Sequence, residues 1–281
     1  MTSFISRRVS FYALKTTTIA TYIILIGFFI LPLVYIVLIT LQQWDVMNNH
    51  ITNQPLSLIS YTRAWAEGIN IAIYNSSIIS TSTAILVMTL SIICVFDIIY
   101  TYYHKPSMFT KAVVFILTCC KAIPHIFLLL GFYVIISYLE WYDTHYGLIF
   151  IYTLTLMPAG ILLIYQIASV IPQSIYEAAI IDGASKWRLF LYIFLPMIFS
   201  RSLMVFIITL LGTWHELLFA LCFTSTPTTR TIPVAIAMMG GANQYETEWP
   251  IIMAAGIISV LPIMLIFSLY YKYCLTKQYQ I

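Results

Sequence analysis

Charge is what this chain has least of. Asp, Glu, Lys and Arg make up 8 % of its 281 residues, against about 25 % in an ordinary soluble domain, and 61 % of the residues are hydrophobic. That balance excludes a water-soluble globular fold, and a net formal charge of +3 gives no basic surface for nucleic acid. Cysteine is also sparse. Cys94, Cys119, Cys120, Cys222 and Cys274 contain no C-x-x-C pair and fall mostly in apolar runs, so they read as reduced core residues and form neither a disulfide framework nor a metal site. The chain has no G-x-x-x-x-G-K-[ST] phosphate loop, no nucleophile elbow and no H-E-x-x-H helix. ATP hydrolysis of the usual P-loop kind and common hydrolase chemistry are therefore excluded. No catalytic residue, metal ligand or cofactor of its own is assigned, and uphill work would have to draw on a partner or an ion gradient.

What the sequence does have is apolar length. Runs at 19–41, 71–99, 112–138, 147–168, 197–223 and 249–271 predict six membrane-crossing helices. The first would be about 34 Å long, enough to cross a hydrocarbon layer of about 30 Å. It is too long for a signal-peptide core, and no small-residue cleavage site follows it. The expected fold is an all-α membrane protein with a polar N-terminus at 1–18, a six-helix domain at 19–272 and a short tail at 273–281. The polar segments between the spans lie at 42–70, 100–111, 139–146, 169–196 and 224–248. Residues 7, 8, 15, 105, 111, 186, 188, 201, 272 and 277 put ten Lys or Arg on one side, and only Arg63 and Arg230 fall in the opposite loops. This positive-inside bias predicts cytoplasmic termini, and a cytoplasmic segment between the fourth and fifth helices.

That segment, 172–196, carries the clearest helix punctuation. Ser174 and Glu177 are spaced as an S-x-x-E capping box, with Pro172 as a first-turn residue if the helix starts earlier. Gly183 is a natural stop, and a second short helix is expected to end before Pro196. Ala178 and Ala179 give the first helix a bare side for close approach of another backbone. The stretch Glu177-Ala178-Ala179-Ile180-Ile181-Asp182-Gly183-Ala184, with Phe190, Ile193, Leu195 and Pro196, resembles the EAA motif of permease subunits in ATP-binding-cassette importers. The resemblance implies a cytoplasmic coupling helix between helices 4 and 5, with Glu177, Ala178, Ala179, Asp182, Gly183 and Ala184 docking on a separate ATPase. It also implies a location in the bacterial cytoplasmic membrane. The implied partners are a homologous second permease, two P-loop ATPase subunits that hold the ATP and magnesium, an extracytoplasmic solute-binding protein and the lipid bilayer.

Further positions resemble the second-permease branch of carbohydrate-type importers: Asn75-Ser76, Pro124, Tyr133, Asp143-Thr144, Pro158, Trp214-His215-Glu216, Thr231-Ile232-Pro233-Val234 and Pro262. Two features depart from the sugar pattern. His215 stands where Asn is expected, and the tail lacks the usual glycines. The outer loop 239–249, with its Thr247-Glu248-Trp249 ending, is similar to the sn-glycerol-3-phosphate permease subgroup. That favours sn-glycerol-3-phosphate as the solute, with a malto-oligosaccharide-type or other sugar as the alternative.

Ionisable residues within spans are expensive and are candidates for the solute route. Lys121 lies about 14 Å into the third span by helix rise. His125 is four residues on and so on the same helical face, with Pro124 between them weakening the ladder. These two, with His215 and Glu216 late in the fifth span, form the candidate pathway set. The alternative roles are subunit-interface pairing and snorkelling of the lysine. Asp97 reads as a helix-end charge in the headgroup layer, and the many aromatics read as an interfacial belt. In an ion-coupled secondary transporter, the rival class, Lys121, His215 and Glu216 would form a relay; such carriers usually show an internal repeat, and none is evident.

Overall fold

The computed structural model describes residues 2–42, 44–45, 50–51, 56–104, 108–241 and 248–278, with side chains at 18–42, 56–101, 111–240 and 248–273. Asn48, Asn49 and Pro55 of the first outer loop, Lys105 and Pro106 of the first polar turn, and most of the 239–249 motif lie outside the described residues. Among those described, the regular structure is helical apart from one antiparallel pairing of two-residue strands, β1 (Trp44–Asp45) and β2 (His50–Ile51). Five helices are long and apolar enough to cross a membrane, and six if one bent pair counts as a single span. Helix is the expected solution here, because a backbone in hydrocarbon must satisfy its own N–H and C=O groups.

The chain forms two compact units, residues 1–67 with 239–260, and residues 68–238 with 261–281. In the first unit, α1 (Thr2–Thr40) continues through residue 18 without a break, and its apolar side chains from Ile19 to Leu38 are largely exposed. The short α2 (Ile59–Ala64) is tied to the end of α1 by a 2.7 Å hydrogen bond between Thr40 Oγ1 and the Tyr61 hydroxyl. Arg63 pairs with Glu248.

The second unit contains the long α3 (Asn70–His104), followed by α4 (Met108–Lys121), α5 (His125–Tyr138) and α6 (His145–Ala168). Next come α7 (Gln173–Ile181), α8 (Lys186–Arg188), α9 (Leu195–Trp214) and α10 (Leu218–Phe223). Helices α11 (Ile232–Gly241) and α12 (Trp249–Gln278) begin in one unit and finish in the other. Within this unit α3 packs closely along α6. Gly160 makes it possible, since a Cβ there would sit 2.7 Å from both Ser91 Oγ and Val87 Cγ1. Two apolar clusters fill the unit. One joins Phe96 and Ile99 of α3 to Ile164 of α6, Tyr176 and Ala179 of α7, and Leu189, Phe194 and Ile198. The other gathers Phe132 of α5, Ile151 and Tyr152 of α6, and Phe219 and Phe223 of α10.

Three expectations change. The third span is not one helix: α4 and α5 meet at 95° across Ala122–Pro124. Pro124 has no N–H to return to the ladder and disfavours helical backbone at Ile123. The segment after Gly183 does not stop before Pro196. It runs from Lys186 through a π-helical turn, Leu189–Phe194, into α9, where the Leu195 N–H bonds five residues back to the Phe190 carbonyl. The wider turn absorbs the bond that Pro196 cannot make. The fifth span breaks after Trp214, and α11 occupies part of the expected outer loop.

Candidate functional site

The segment between α6 and α9 is built as a short helix with one anchored face. Pro172 occupies the N-cap position in an extended conformation, and no side chain caps the end. The capping box with Ser174 as N-cap therefore does not form, because the helix begins at Gln173 and places Ser174 inside its first turn. Glu177 instead accepts a 2.7 Å hydrogen bond from Gln173 Nε2, one turn earlier. At the other end the reading of Gly183 holds. Its φ is +77°, a left-handed conformation. The Gly183 N–H reaches the Ile180 carbonyl (3.0 Å), and the Ala184 N–H reaches the Ala179 carbonyl (3.0 Å). This double closure is the Schellman arrangement that glycine permits. Ser185 then restarts the helix by accepting the Arg188 N–H.

The two faces of α7 differ. Tyr176 and Ala179 are buried in the cluster under α3 and α9, which contributes on the order of 1.5–3 kcal/mol for the tyrosine by area. Ala178 is exposed, so the paired alanines do not form a common bare side. Ala179 is spent on the chain's own packing. Glu177, Ala178, Ile181 and Asp182 lie along the open face, and Ile181 is 84 % exposed. Directly behind, Lys186 pairs with Asp97 of α3 at 2.7 Å and lies 5.1 Å from the ring centroid of Tyr100. Phe96 contacts Phe190 and Phe194 at centroid distances of 5.0 and 5.2 Å. Asp97 is thus an ion-pair partner and not simply a helix-end charge; nothing in sequence spacing joins residues 97 and 186.

The four pathway candidates do not form one group. Lys121 ends α4 and is exposed there, where a cation complements the helix dipole. His125 begins α5, so the 95° bend removes the shared face that a continuous helix would give them. His215 is exposed in the interruption between α9 and α10. Glu216, its neighbour, is committed to structure. Its carboxylate accepts the Phe219 N–H (3.0 Å), the Ala220 N–H (3.3 Å) and the hydroxyl of buried Tyr152 (2.7 Å). The first two are orphan donors of α10. His125 and Glu216 do converge on one residue, since the imidazole lies 5.9 Å from the Phe219 ring.

At the opposite end of this unit, three separately matched motifs converge on residues 224–232. Asn75 Nδ2 donates to the Thr228 and Arg230 carbonyls at 2.9 and 3.0 Å. Ser76 Oγ accepts the Ile232 N–H at 2.9 Å. Asp143, held at φ +56°, accepts from the Ser225 N–H (2.8 Å), the Thr226 N–H (3.2 Å), the Thr226 hydroxyl (2.7 Å) and the Thr229 hydroxyl. Partial burial alone would raise the Asp143 carboxyl, but these donors outweigh it and hold the group far below the usual carboxylate range. Thr144 caps α6 by accepting the Gly147 N–H.

The family described as binding-protein-dependent transport system inner membrane component matches residues 103–277. The probable ABC transporter permease protein YurM of Bacillus subtilis (strain 168) is 29 % identical over 248 residues, 86 % of this chain and 79 % of that protein. The trehalose/maltose transport system permease protein MalG of Thermococcus litoralis is 36 % identical over 142 residues, 49 % of each chain. Among solved structures, a bacterial ABC transporter involved in import of the acidic polysaccharide alginate aligns with a TM-score of 0.70 at 14 % identity, covering 89 % of this chain and 94 % of that one. That likeness shows the fold, a type I ABC importer permease arrangement of apolar helices.

Proposed function

The chain belongs to the binding-protein-dependent transport system inner membrane component family, and on that premise we propose that it is a permease subunit of an ABC importer that takes up a carbohydrate. The observation that carries the reading is the two-faced helix α7. One face is locked into the helix bundle by Tyr176 and Ala179, while the other offers Glu177, Ala178, Ile181 and Asp182 with no cover from the described residues. An isoleucine left 84 % exposed on a water-side helix fits a surface that another subunit covers. Glu177 and Asp182 would make charge-assisted contacts with that subunit, and Gly183 would keep the turn low enough to seat. In this reading ATP closes the partner ATPases, their grooves carry α7, and the anchored face passes the displacement to α3 and α9. The spans then alternate between outward-open and inward-open arrangements.

A carbohydrate is favoured over glycerol-3-phosphate. The relative cited above that is named for its solute transports trehalose or maltose. The motif that points to glycerol-3-phosphate lies mostly outside the described residues. Lys121, a cation of the kind a phosphate ester would need on its route, ends an exposed helix turn and shares no face with His125. Phe219 beside His125 is fully buried, so no stacking platform for the sugar is assigned here; the extracytoplasmic binding protein would select the solute.

The test is a gentle-detergent purification of the tagged chain, with copurifying proteins identified by mass spectrometry. A P-loop ATPase and a second EAA-bearing permease are expected. The binding protein of the same system is then titrated with malto-oligosaccharides and with sn-glycerol-3-phosphate. Tight binding of glycerol-3-phosphate alone would overturn the carbohydrate reading. A chain recovered alone that still drives uptake in liposomes would overturn the importer reading in favour of ion coupling.

A further inference from the structure

A groove of about 290 Å³ opens beside the Lys186–Asp97 pair, lined by Ile93, Phe96, Asp97, Lys186, Trp187 and Phe190. Its position is set by the ends of two apolar spans. Asp97 lies four residues before the end of the span Ile59–Thr101, and Lys186 opens the span Lys186–Trp214. The groove therefore sits at the level where hydrocarbon gives way to headgroups. Trp187 and Tyr192 are 71 % and 77 % exposed there, as amphipathic rings at a membrane boundary are.

Its chemistry is divided. Ile93, Phe96 and Phe190 make an apolar floor, and the space equals about ten water volumes, enough for part of one acyl chain. The mouth carries one positive and one negative group side by side, both about half exposed. Their mutual contact uses one of the three ammonium donors of Lys186 and one of roughly four lone-pair sites of Asp97. An anionic headgroup would find Lys186 but be repelled by Asp97. A headgroup that carries both a phosphate and a primary ammonium meets both charges with the right sign. We propose that this groove binds a phosphatidylethanolamine molecule, with the phosphate on Lys186, the ammonium on Asp97 and the upper acyl chain over Phe96 and Phe190. A choline headgroup has the same charges but no N–H to donate, so it cannot make the hydrogen bond to Asp97. The inference needs only a membrane-embedded chain and is independent of the solute and of ATP coupling.

The tagged full-length chain is equilibrated with mixed vesicles holding equal parts phosphatidylethanolamine, phosphatidylcholine and phosphatidylglycerol. It is then extracted in mild detergent, and the retained lipids are quantified by mass spectrometry. Phosphatidylethanolamine is expected to be enriched over phosphatidylcholine by about tenfold, the effect of one charge-assisted hydrogen bond. Asp97→Asn should abolish that preference, and Ile93→Trp should displace the lipid by filling the floor. The double exchange Asp97→Lys with Lys186→Asp should retain it, because a zwitterion can bind in the reverse sense. Each variant is checked for a single monodisperse peak and an unchanged thermal midpoint. Equal retention of phosphatidylglycerol, or a preference that survives Asp97→Asn, would overturn the assignment.

Discussion

Replacing Gly183 would separate the folding role of α7 from the docking role proposed for it. The residue sits at φ +77°, where an L-residue costs about 1–2 kcal/mol. Among the described residues other than its two chain neighbours, no atom lies within 4 Å of a Cβ placed there, so a larger side chain adds no clash with them. Ala and Leu should therefore destabilise the chain by the same strain, lowering the thermal midpoint by about 2–4 °C per kcal/mol for a chain of this size. Asn tolerates the left-handed conformation and should cost less than either. Any difference between Ala and Leu must then arise on a partner surface. The assay pairs the thermal midpoint of the purified complex with ATP-driven solute uptake in proteoliposomes. Gly183→Asn should keep most of the uptake. Gly183→Leu should match Gly183→Ala in midpoint yet lose a further factor of about ten or more in uptake, equivalent to about 1.4 kcal/mol of lost docking. ATP hydrolysis should persist, uncoupled. If uptake by the Ala and Leu variants falls equally, Gly183 serves only the fold and the docking argument fails.

Gly160→Ala should lower the thermal midpoint by an amount equivalent to about 1–3 kcal/mol of overpacking, since the new methyl meets Val87 and Ser91 at once; an unchanged midpoint would mean that α3 and α6 can separate freely. Tyr152→Phe removes one donor to Glu216 and should cost about 1.5–3 kcal/mol, whereas Glu216→Gln keeps the size but weakens every bond, so amide exchange at Phe219 and Ala220 should rise in both variants and more in the second. The pH dependence at Asp143 has a definite sign: its folded carboxyl is depressed, so the contribution is complete above the unfolded value of about 3.9 and is lost as the pH falls through the lower folded value. Hydrogen exchange of the Ser225 and Thr226 amides should therefore stay slow until the pH is well below 3.9, and Asp143→Asn should speed it at neutral pH.

The parts of the fold that repeat locally could be read from sequence, and those that depend on distant partners could not. The apolar runs reveal the spans, and Gly183 marks the end of α7, because both signals are written within a few residues. The α4–α5 bend is different. Pro124 announces a weak ladder, but a span apolar on every side carries no periodicity from which to read a right angle. The π turn before Pro196 is hidden for the same reason. The capping box fails because Pro172, already extended, starts the helix before Ser174 can cap it. Asp97 and Lys186 lie 89 positions apart in the chain, and only the packing of α3 against the start of the fifth span brings them together. Glu216 could be marked as unusual from its apolar surroundings, yet its role became legible only when Tyr152 and the amides of α10 were seen to use its oxygens. The motifs around Asn75, Asp143 and Thr231 were each visible, but their convergence on a single loop was not.

The π turn at Leu189–Phe194 also bears on how this chain can change length. It fits one more residue than an α-helix needs for the same turn, so it behaves as an absorbed insertion. Removing one residue from it would return the stretch to α-helix and leave the helix beyond in nearly the same phase, whereas the same deletion in a regular α-helix turns everything beyond by about 100°. Ile198, Ser202 and Val205, all buried, would then keep their seats, as would Lys186 and Phe190. Among the described spans, this is a place where a single-codon deletion would shorten a helix and yet keep its two halves in phase.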